Sequence, residues 1–259
     1  MPAELRSRTE GHTLILTVSN PDHRNALGPE IYAAGVEAFN IADDNREVRA
    51  VVIHGEGDTF CAGGNLQRLQ ANRQQPHAVQ AQSIEGLHTW IEAIHSFPKP
   101  VIAAVEGAAA GAGFSLALAC DLIVAAGNAQ FVMAYANIAL SPDGGASWNL
   151  AHALPRQLAA ELLLSGERIG AERLHQLGVV NRVCAAGQAL DSALAWAEAI
   201  GTRAPNALAS IKELIHDAAG NSLSQHLAQE REHFVRNLHH PNAGIGIAAF
   251  LGKRRARYE

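Results

Sequence analysis

Short, almost wholly apolar segments alternate with segments of helical period along most of the chain. Arg49–His54 and Val101–Val105 are typical of parallel strands that are covered on both faces. The other predicted strands are His12–Ser19, Asp121–Ala125, Gln130–Met133 and Val179–Val183. The predicted helices are Gly28–Phe39, a helix with Ile84, Leu87, Ile91 and Ile94 on its apolar face, and Ala146–Leu154, Gln157–Leu164 and Ala171–Leu177. This alternation predicts an α/β fold.

The strand pattern stops after about Ala185, and only helical segments follow. They are predicted at Leu190–Arg203, Pro205–Ala218, Ser222–Leu238 and, in a shorter form, Gly244–Leu251. The chain is therefore predicted to have an α/β core over residues 1–190 and a C-terminal helical region over residues 191–259.

The composition excludes several classes of protein. Of the 259 residues, 48% are apolar and 17% are charged, which allows a buried core and argues against a disordered chain. The formal net charge of −5 argues against nucleic-acid binding. The N-terminus has no apolar signal segment, and the most apolar region, Pro100–Ala126, contains the carboxylates Glu106 and Asp121. We expect a cytoplasmic protein with no nucleic-acid or membrane partner.

The side chains that most often bind metals are not spaced for a metal site. The cysteines Cys61, Cys120 and Cys184 are odd in number and widely spaced, which predicts reduced thiols rather than a disulfide framework or a zinc site. The pair His239–His240 has no carboxylate or thiolate at ligand spacing. We therefore predict no metal.

Two glycine-rich turns each follow an apolar strand and precede a helical stretch. They are Phe60–Leu66 and Gly107–Gly113. Such a turn directs free backbone N–H groups toward the start of the helix, where partial positive charge favours an anion or a developing oxyanion. The alternative interpretation is that the glycines only make tight turns.

A nucleotide site fits these turns poorly. The segment Gly111–Gly113 lacks the third glycine of a dinucleotide fingerprint, because Leu116 stands in its place, and no acidic residue ends the next strand. The Gly-Lys-Ser/Thr signature of a phosphate-binding loop does not occur in the sequence. A nicotinamide-dependent oxidoreductase is therefore disfavoured.

A set of short motifs runs through the chain in order. They are Asn20–Pro21, Arg24–Leu27, Phe60–Leu66, Lys99–Gly107, Gly111–Gly113, Ala119–Asp121, Ala129–Phe131, Gly178–Asn181 and Phe250–Arg254. In this order and spacing the set resembles the crotonase superfamily, which contains the enoyl-CoA hydratases and isomerases. The resemblance implies a crotonase-like spiral of ββα units, with a C-terminal helical trimerisation region and, in many members, hexamers built from two trimers.

The resemblance also implies how an acyl-CoA thioester is held. Its carbonyl oxygen would accept hydrogen bonds from the backbone N–H groups of Gly64 and Ala112, and each donor would contribute about 3–4 kcal/mol as charge develops there. The implied coenzyme contacts are Arg24, Asn25, Ala26, Leu27, Ala62 and Asn65, with Phe250 and Lys253 supplied by a neighbouring subunit. Coenzyme A is then part of the substrate, and no separate cofactor is expected.

The chain departs from the hydratase pattern at the two positions where hydratases of the family carry glutamates. Ser115 and Tyr135 stand there. Asp143, in turn, matches the aspartate that related isomerases of the ring-opening epoxyphenylacetyl-CoA type use to move protons, and the nucleophile of 4-chlorobenzoyl-CoA dehalogenase. One carboxylate can shuttle a proton between two carbons, whereas hydration usually needs two groups. An aspartate before a helix can also be only a turn former or a cap.

His88 is a second candidate for chemistry, because its position resembles that of the dehalogenase histidine that activates water. Leu87 and Tyr135, however, replace aromatic residues of the dehalogenase, and a histidine beside an apolar face is often only structural. Tyr135 could donate a hydrogen bond or line the pocket. With Met133 and Trp148 expected nearby, the pocket favours a medium-length, cyclic or aromatic acyl group. Glu106 is predicted to be structural.

We therefore expect an enzyme of the enoyl-CoA hydratase/isomerase group that stabilises a thioester enolate, for hydration or double-bond isomerisation, in fatty-acid or aromatic-acid catabolism. Two alternatives stay open. One is an aromatic acyl-CoA hydrolase or dehalogenase-like reaction that uses Asp143 and His88. The other is a non-catalytic acyl-CoA binding module, which the two missing glutamates suggest.

Overall fold

A computed structural model describes residues 3–258. Its strands are β1 (Glu4–Glu10), β2 (Thr13–Ser19), β3 (Ala50–Gly55), β4 (Val101–Val105), β5 (Ala108–Ala110), β6 (Leu122–Ala126), β7 (Gln130–Val132), β8 (Arg168–Gly170) and β9 (Arg182–Cys184). Six of them form one sheet in the order β1-β2-β3-β4-β6-β9, in which β1 is antiparallel to β2 and the other pairs are parallel. A second sheet has the order β5-β7-β8.

The helices surround the two sheets. They are α1 (Pro29–Asp44), α2 (Leu66–Asn72), α3 (His77–Ser96), α4 (Ala112–Ala119), α5 (Ala146–Ala153), α6 (Arg156–Ser165), α7 (Ala171–Gln176), α8 (Ala189–Gly201), α9 (Pro205–Ala218), α10 (Leu223–Leu238) and α11 (Pro241–Leu251). This confirms the predicted α/β fold.

Alternate residues of the central strands enter two separate apolar cores, as the two-residue period of a strand requires. Val51 and Ile53 of β3 join the larger core, which also contains Trp90 of α3. Ala50 and Val52 of the same strand pack with α8 in the smaller core. The sheet is therefore covered on both faces, which explains why its parallel strands are almost wholly apolar.

The predicted elements agree with the structure where burial or a sharp terminal signal defines them. Val101–Val105 and Pro205–Ala218 have the predicted bounds. The predicted strand Val179–Val183 overlaps β9 but begins too early, because Val179 and Val180 lie in the turn that follows α7. Strands β1, β5 and β8 were not predicted from the pattern, and α2 and the start of α3 lie in a stretch that shows no apolar face.

The C-terminal helices differ in what they contact. Helix α8 packs on the sheet through Ala189, Ala193 and Ala197, so by its contacts it belongs to the α/β body. Helices α9 to α11 instead leave large apolar side chains exposed, among them Phe234 and Phe250. Within residues 3–258, no helix combines the length and the apolar character that crossing a membrane requires.

Candidate active site

The two glycine turns lie side by side as one backbone structure. The Cys61 N–H donates to the Ala108 carbonyl at 3.0 Å, and the Ala110 N–H donates to the Cys61 carbonyl at 2.9 Å. The first turn thus continues the second sheet beyond β5, with Cys61 directly opposite Ala109. Two turns whose first residues, Phe60 and Gly107, are 47 positions apart in sequence are therefore held in fixed register by strand-type hydrogen bonds.

Two glycines allow this close approach. A Cβ on Gly63, whose φ is +95°, would lie 2.6 Å from the Ala110 carbonyl oxygen, and its position is only 3.5 Å from the Ala112 nitrogen. A Cβ on Gly113 would lie 2.4 Å from the Cys61 carbonyl oxygen. Any larger residue would push the turns apart, so the glycines here serve backbone proximity and not only the making of turns.

The two predicted donors belong to this structure. Ala112 is the first residue of α4, where a backbone N–H has no partner inside the helix. Within residues 3–258, neither the Gly64 N–H nor the Ala112 N–H donates to a backbone carbonyl. Both residues line the same cavity of about 420 Å³. The helix start adds partial positive charge beside Ala112, so the pair is suited to hold an oxygen that gains negative charge.

The cavity gathers most of the predicted site residues. Those that line it are Leu27, Ala62, Gly64, Asn65, His88, Ala112, Tyr135 and Asp143. Apolar side chains of α2, α3 and the segment before α5 complete its wall. Of the described residues that line it, Asp143 alone carries a carboxylate. The cavity therefore combines two free backbone donors with one acid.

Asp143 is held by the residue at one of the two glutamate positions. The Tyr135 hydroxyl donates to Asp143 Oδ1 at 2.6 Å. Burial, followed by the charge of Asp143, raises the pKa of Tyr135 far above its ordinary value, so the hydroxyl remains a donor at every pH at which the protein is handled. The same ring lies beside the second glycine turn, because a Cβ on Gly111 would be 3.8 Å from its hydroxyl oxygen.

The other glutamate position contributes to the same cluster. Ser115 is fully buried, and its Oγ lies 3.0 Å from the Asp143 carbonyl oxygen and 3.3 Å from the Tyr135 hydroxyl. It is also 3.2 Å from the Gly111 carbonyl oxygen, one turn earlier in α4. Residues from three separate segments therefore meet around Asp143.

His88 lines the cavity, and it also borders a neighbouring cavity that contains Trp148. Within the described part of the chain, its imidazole makes no hydrogen bond. Two residues expected in the pocket are not there: Met133 is buried in the core, and Trp148 lies outside the lining of the site cavity. Of the three residues on which the expectation of a medium-length, cyclic or aromatic acyl group is based, Tyr135 is the one that lines the cavity.

The predicted coenzyme loop docks on the first glycine turn through its backbone. The Ala62 N–H donates to the Arg24 carbonyl at 3.0 Å, and the Leu27 N–H donates to the Gly63 carbonyl at 2.7 Å. Of the loop residues, Leu27 lines the cavity, Arg24 is exposed beside it in a left-handed conformation, and Ala26 is buried.

The Asn25 side chain makes its hydrogen bonds inside the protein, and its contact with the coenzyme stays a prediction. Its Nδ2 donates to the carbonyls of Glu56 and Thr59 at 2.9 and 2.6 Å, and its Oδ1 accepts from the Asn20 N–H. Because the buried amide is satisfied inside the protein, its role is to fix the loop. Asn65 likewise caps α2 by accepting from the Arg68 N–H at 3.0 Å.

Phe250 and Lys253 do not reach the cavity of their own chain. Phe250 is 84% exposed on α11, and Lys253 follows that helix on the surface. A contact with the coenzyme would have to be made to another subunit, and it stays a prediction.

Two cavity residues were missed by the sequence reasoning. Tyr32 of α1 is buried, and burial together with the charge of Asp143 raises its pKa. The side chain of Arg68, on α2, is 31% exposed, and its Nη1 lies 3.6 Å from Glu30 Oε2. It carries the one fixed positive charge among the described residues that line the cavity. Both residues lie on helices, and the spacing of apolar residues along a helix does not show which side chains face a cavity.

Other candidates have structural roles. Burial raises the pKa of the Cys61 thiol to about 12, so it is not a nucleophile at neutral pH. Glu106 accepts hydrogen bonds from the N–H groups of Gly187 and Ala189 and thereby caps α8, which confirms its predicted structural role. In the part of the chain that the structure describes, no group of three or more His, Cys, Asp or Glu side chains is arranged to hold a metal.

The chain is similar over nearly its whole length to known proteins. Residues 8–259 match a family model described as enoyl-CoA hydratase/isomerase. The chain is 32% identical over 253 residues to 1,2-epoxyphenylacetyl-CoA isomerase of Escherichia coli (strain K12), covering 97% of each chain. It is 33% identical over 258 residues to carnitinyl-CoA dehydratase of Salmonella enteritidis, covering 98% of this chain and 97% of the other. The crystal structure of an enoyl-CoA hydratase from Polaromonas sp. JS666 is 69% identical, with a TM-score of 0.98 over 99% of this chain and 100% of the other.

Proposed function

The chain belongs to the enoyl-CoA hydratase/isomerase family, and we propose that it is an isomerase that moves the double bond of an enoyl-CoA by proton transfer through Asp143. The observation that supports this choice is the single carboxylate of the cavity. Ser115 and Tyr135 occupy the positions where family hydratases carry their two glutamates, and Asp143 is the one acid among the described lining residues. Double-bond migration needs one group that accepts and returns a proton, whereas hydration usually needs two groups.

The thioester carbonyl oxygen would accept hydrogen bonds from the N–H groups of Gly64 and Ala112. When a proton leaves the substrate, the electron pair of the broken C–H bond is delocalised onto this oxygen. Donors that already point at the oxygen stabilise the resulting enolate without reorganising, and each contributes about 3–4 kcal/mol. The side chains of these two residues are not needed for the step.

Asp143 would carry the proton. In a 3-enoyl-CoA, one carboxylate oxygen accepts a proton from Cα as the C–H bond breaks, and a dienolate forms. The carboxylic acid then returns a proton to Cγ, the C=C bond moves to the α,β position, and Asp143 is ionised again. No electrons are exchanged with another molecule, so the proposed reaction uses no redox cofactor, and coenzyme A enters as part of the substrate.

The coenzyme is proposed to lie along the loop formed by Arg24, Asn25, Ala26 and Leu27 and beside Ala62 and Asn65. Its phosphates would meet the exposed Arg24 guanidinium. We propose a homotrimer, or a hexamer of two trimers, in which a neighbouring subunit adds Phe250 and Lys253. The exposed apolar side chains of α9 to α11 support an interface in this region.

The experiment is a comparison of the protein with Asp143→Asn, using Asp44→Asn as a matched control on the exposed end of α1. Turnover of trans-3-enoyl-CoA is followed by the absorbance of the α,β-unsaturated thioester, and affinity by titration with a saturated acyl-CoA. We expect Asp143→Asn to lose turnover by at least about 100-fold and to keep its affinity within several-fold. Equal turnover by the protein and Asp143→Asn would contradict the assigned role.

A second candidate function is hydrolysis or dehalogenation of an aromatic acyl-CoA, because Asp143 and His88 line one cavity. Here Asp143 would act as a nucleophile, and His88 would activate water. Incubation of the protein with 4-chlorobenzoyl-CoA distinguishes dehalogenation from isomerisation, because dehalogenation releases chloride. Tight binding of every thioester without conversion would favour a binding module.

A further inference from the structure

We propose that Ser115 and Tyr135 are positioning residues that hold the catalytic carboxylate, so that the two positions of the missing glutamates act through Asp143. The inference rests on the proposed function, in which Asp143 carries the proton. It goes further because it assigns a role to the residues that replace the hydratase pair.

Three contacts carry the inference. Tyr135 donates to one carboxylate oxygen of Asp143, Oδ1, at 2.6 Å. The Ser115 hydroxyl lies 3.0 Å from the backbone carbonyl oxygen of the same residue. The two hydroxyls are 3.3 Å apart. Asp143 is thus held both at its side chain and at its backbone, by residues of α4 and of the segment after β7.

Because these groups are buried, their hydrogen bonds to one another matter more than such contacts would on the surface. Ser115 is fully buried and Tyr135 is 8% exposed, so their hydroxyls have little access to water. Their partners are each other, Asp143 and, for Ser115, the Gly111 carbonyl as well. Hydrogen bonds to an ionised group are shorter and stronger than those between neutral groups, which agrees with the distance from Tyr135 to Asp143.

The arrangement also gives the two carboxylate oxygens of Asp143 different roles. Oδ1 is occupied by Tyr135, which leaves Oδ2 for the substrate proton. A hydrogen bond to one oxygen restricts rotation of the carboxylate and so limits the directions in which the other oxygen can point. This matters because a displacement of about 1 Å in a reacting group can cost about 100-fold in rate.

The test compares Tyr135→Phe, Ser115→Ala and the double variant with the protein itself. Three quantities are measured: kcat for trans-3-enoyl-CoA, the dissociation constant of a saturated acyl-CoA, and the red shift of a bound, unreactive aromatic acyl-CoA. The red shift reports polarisation of the thioester carbonyl by the backbone donors and does not involve Asp143. We expect each single variant to lose about 10- to 100-fold in kcat, with affinity within threefold and the red shift unchanged. The double variant should lose less than the product of the two single losses, because both residues act through Asp143.

Tyr258→Phe is the matched control, since it removes a tyrosine hydroxyl that lies outside the site cavity. Its kcat and KM are expected to equal those of the protein. If the protein converts the substrate and both Tyr135→Phe and Ser115→Ala keep its kcat, the positioning role is wrong, and the proposed function stands. Parallel loss of kcat, affinity and red shift would also overturn it, because that is the result of a general disturbance of the site. If the protein and Asp143→Asn are equally inactive, the proposed function fails, and this inference fails with it.

Discussion

Ala112→Pro tests the backbone donor of the proposed site without removing a functional side chain. Ala112 is the first residue of α4, and proline is well accepted at that position because its ring fits the helical φ and the missing N–H has no partner in the helix. The residue before it, Gly111, has no Cβ and is not in the α region, so the restriction that proline places on its predecessor is met.

The expected magnitude follows from the bonds that the change removes. Within residues 3–258, the Ala112 N–H donates to no backbone carbonyl, so folding loses no backbone hydrogen bond, and the free energy of unfolding should change by less than about 1 kcal/mol. The transition state, in contrast, loses one of two donors. Removal of one such donor costs about 2.7–4 kcal/mol, which is about 100- to 1,000-fold in kcat.

The assay measures kcat with an enoyl-CoA, the midpoint of thermal unfolding, and the red shift of a bound aromatic acyl-CoA. Leu223→Pro is the matched control, because it places proline at the first position of the exposed helix α10. We expect Ala112→Pro to remain folded, to lose turnover and to lose part of the red shift, while Leu223→Pro behaves as the unmodified protein. A folded Ala112→Pro variant with full turnover and an unchanged red shift would refute the assignment of this N–H to the thioester oxygen.

Three further predictions concern stability and specificity. Burial lowers the pKa of His95 from its ordinary value of about 6.5 to about 4. Between these two values the unfolded chain binds the proton more tightly, so the free energy of unfolding is highest above pH 6.5 and falls as the pH drops toward 4. His95→Gln should reduce this acid-induced loss by about 1–2 kcal/mol in chemical denaturation at pH 5 against pH 7. Gly113→Ala should destabilise the protein by about 1–3 kcal/mol in the same assay, because its Cβ meets the Cys61 carbonyl. Arg68→Met should raise KM for acyl groups with a terminal carboxylate more than for neutral acyl groups of equal length. Arg68 could instead bind the phosphates of the coenzyme. Acyl-pantetheine thioesters lack these phosphates, so KM measured with them distinguishes the two roles.

The sequence predicts best those elements that are defined locally. The bounds of Val101–Val105 are correct because this strand is buried on both faces, and those of Pro205–Ala218 because proline marks the start of the helix. Strand β1 is the opposite case. Its side chains are mostly exposed and charged, because it is an edge strand that pairs with β2 alone, so its sequence shows no apolar pattern.

The same distinction applies to the site. Unpaired N–H groups at the two turns could be expected, because a glycine turn before a helix leaves such groups without partners. The choice of Gly64 and Ala112 among them comes from the family resemblance. The contact between Tyr135 and Asp143 could not, because a short helical turn, Ala136–Ile138, lies between them and the spacing does not show which way each side chain points. The sequence also does not show that Arg68 lines the cavity, because the wall of the cavity is formed by helices that are distant in sequence.

The division of labour in the cavity explains how one fold can support different reactions. The proposed oxyanion donors are backbone groups of two turns that strand-type hydrogen bonds hold together, so a change of side chain elsewhere in the cavity should leave them in place. The side chains at 115, 135 and 143 then decide where a proton can go. Carboxylates at the first two positions would place two acid–base groups beside the substrate, whereas the hydroxyls found there bring no carboxylate and make hydrogen bonds to Asp143. On this reasoning, Ser115→Glu combined with Tyr135→Glu should lower isomerase turnover and should produce measurable hydration of crotonyl-CoA, provided that the pair is ionised and the turns keep their register. Hydration that is absent in a folded double variant with an intact red shift would show that the reaction class depends on more than these three positions.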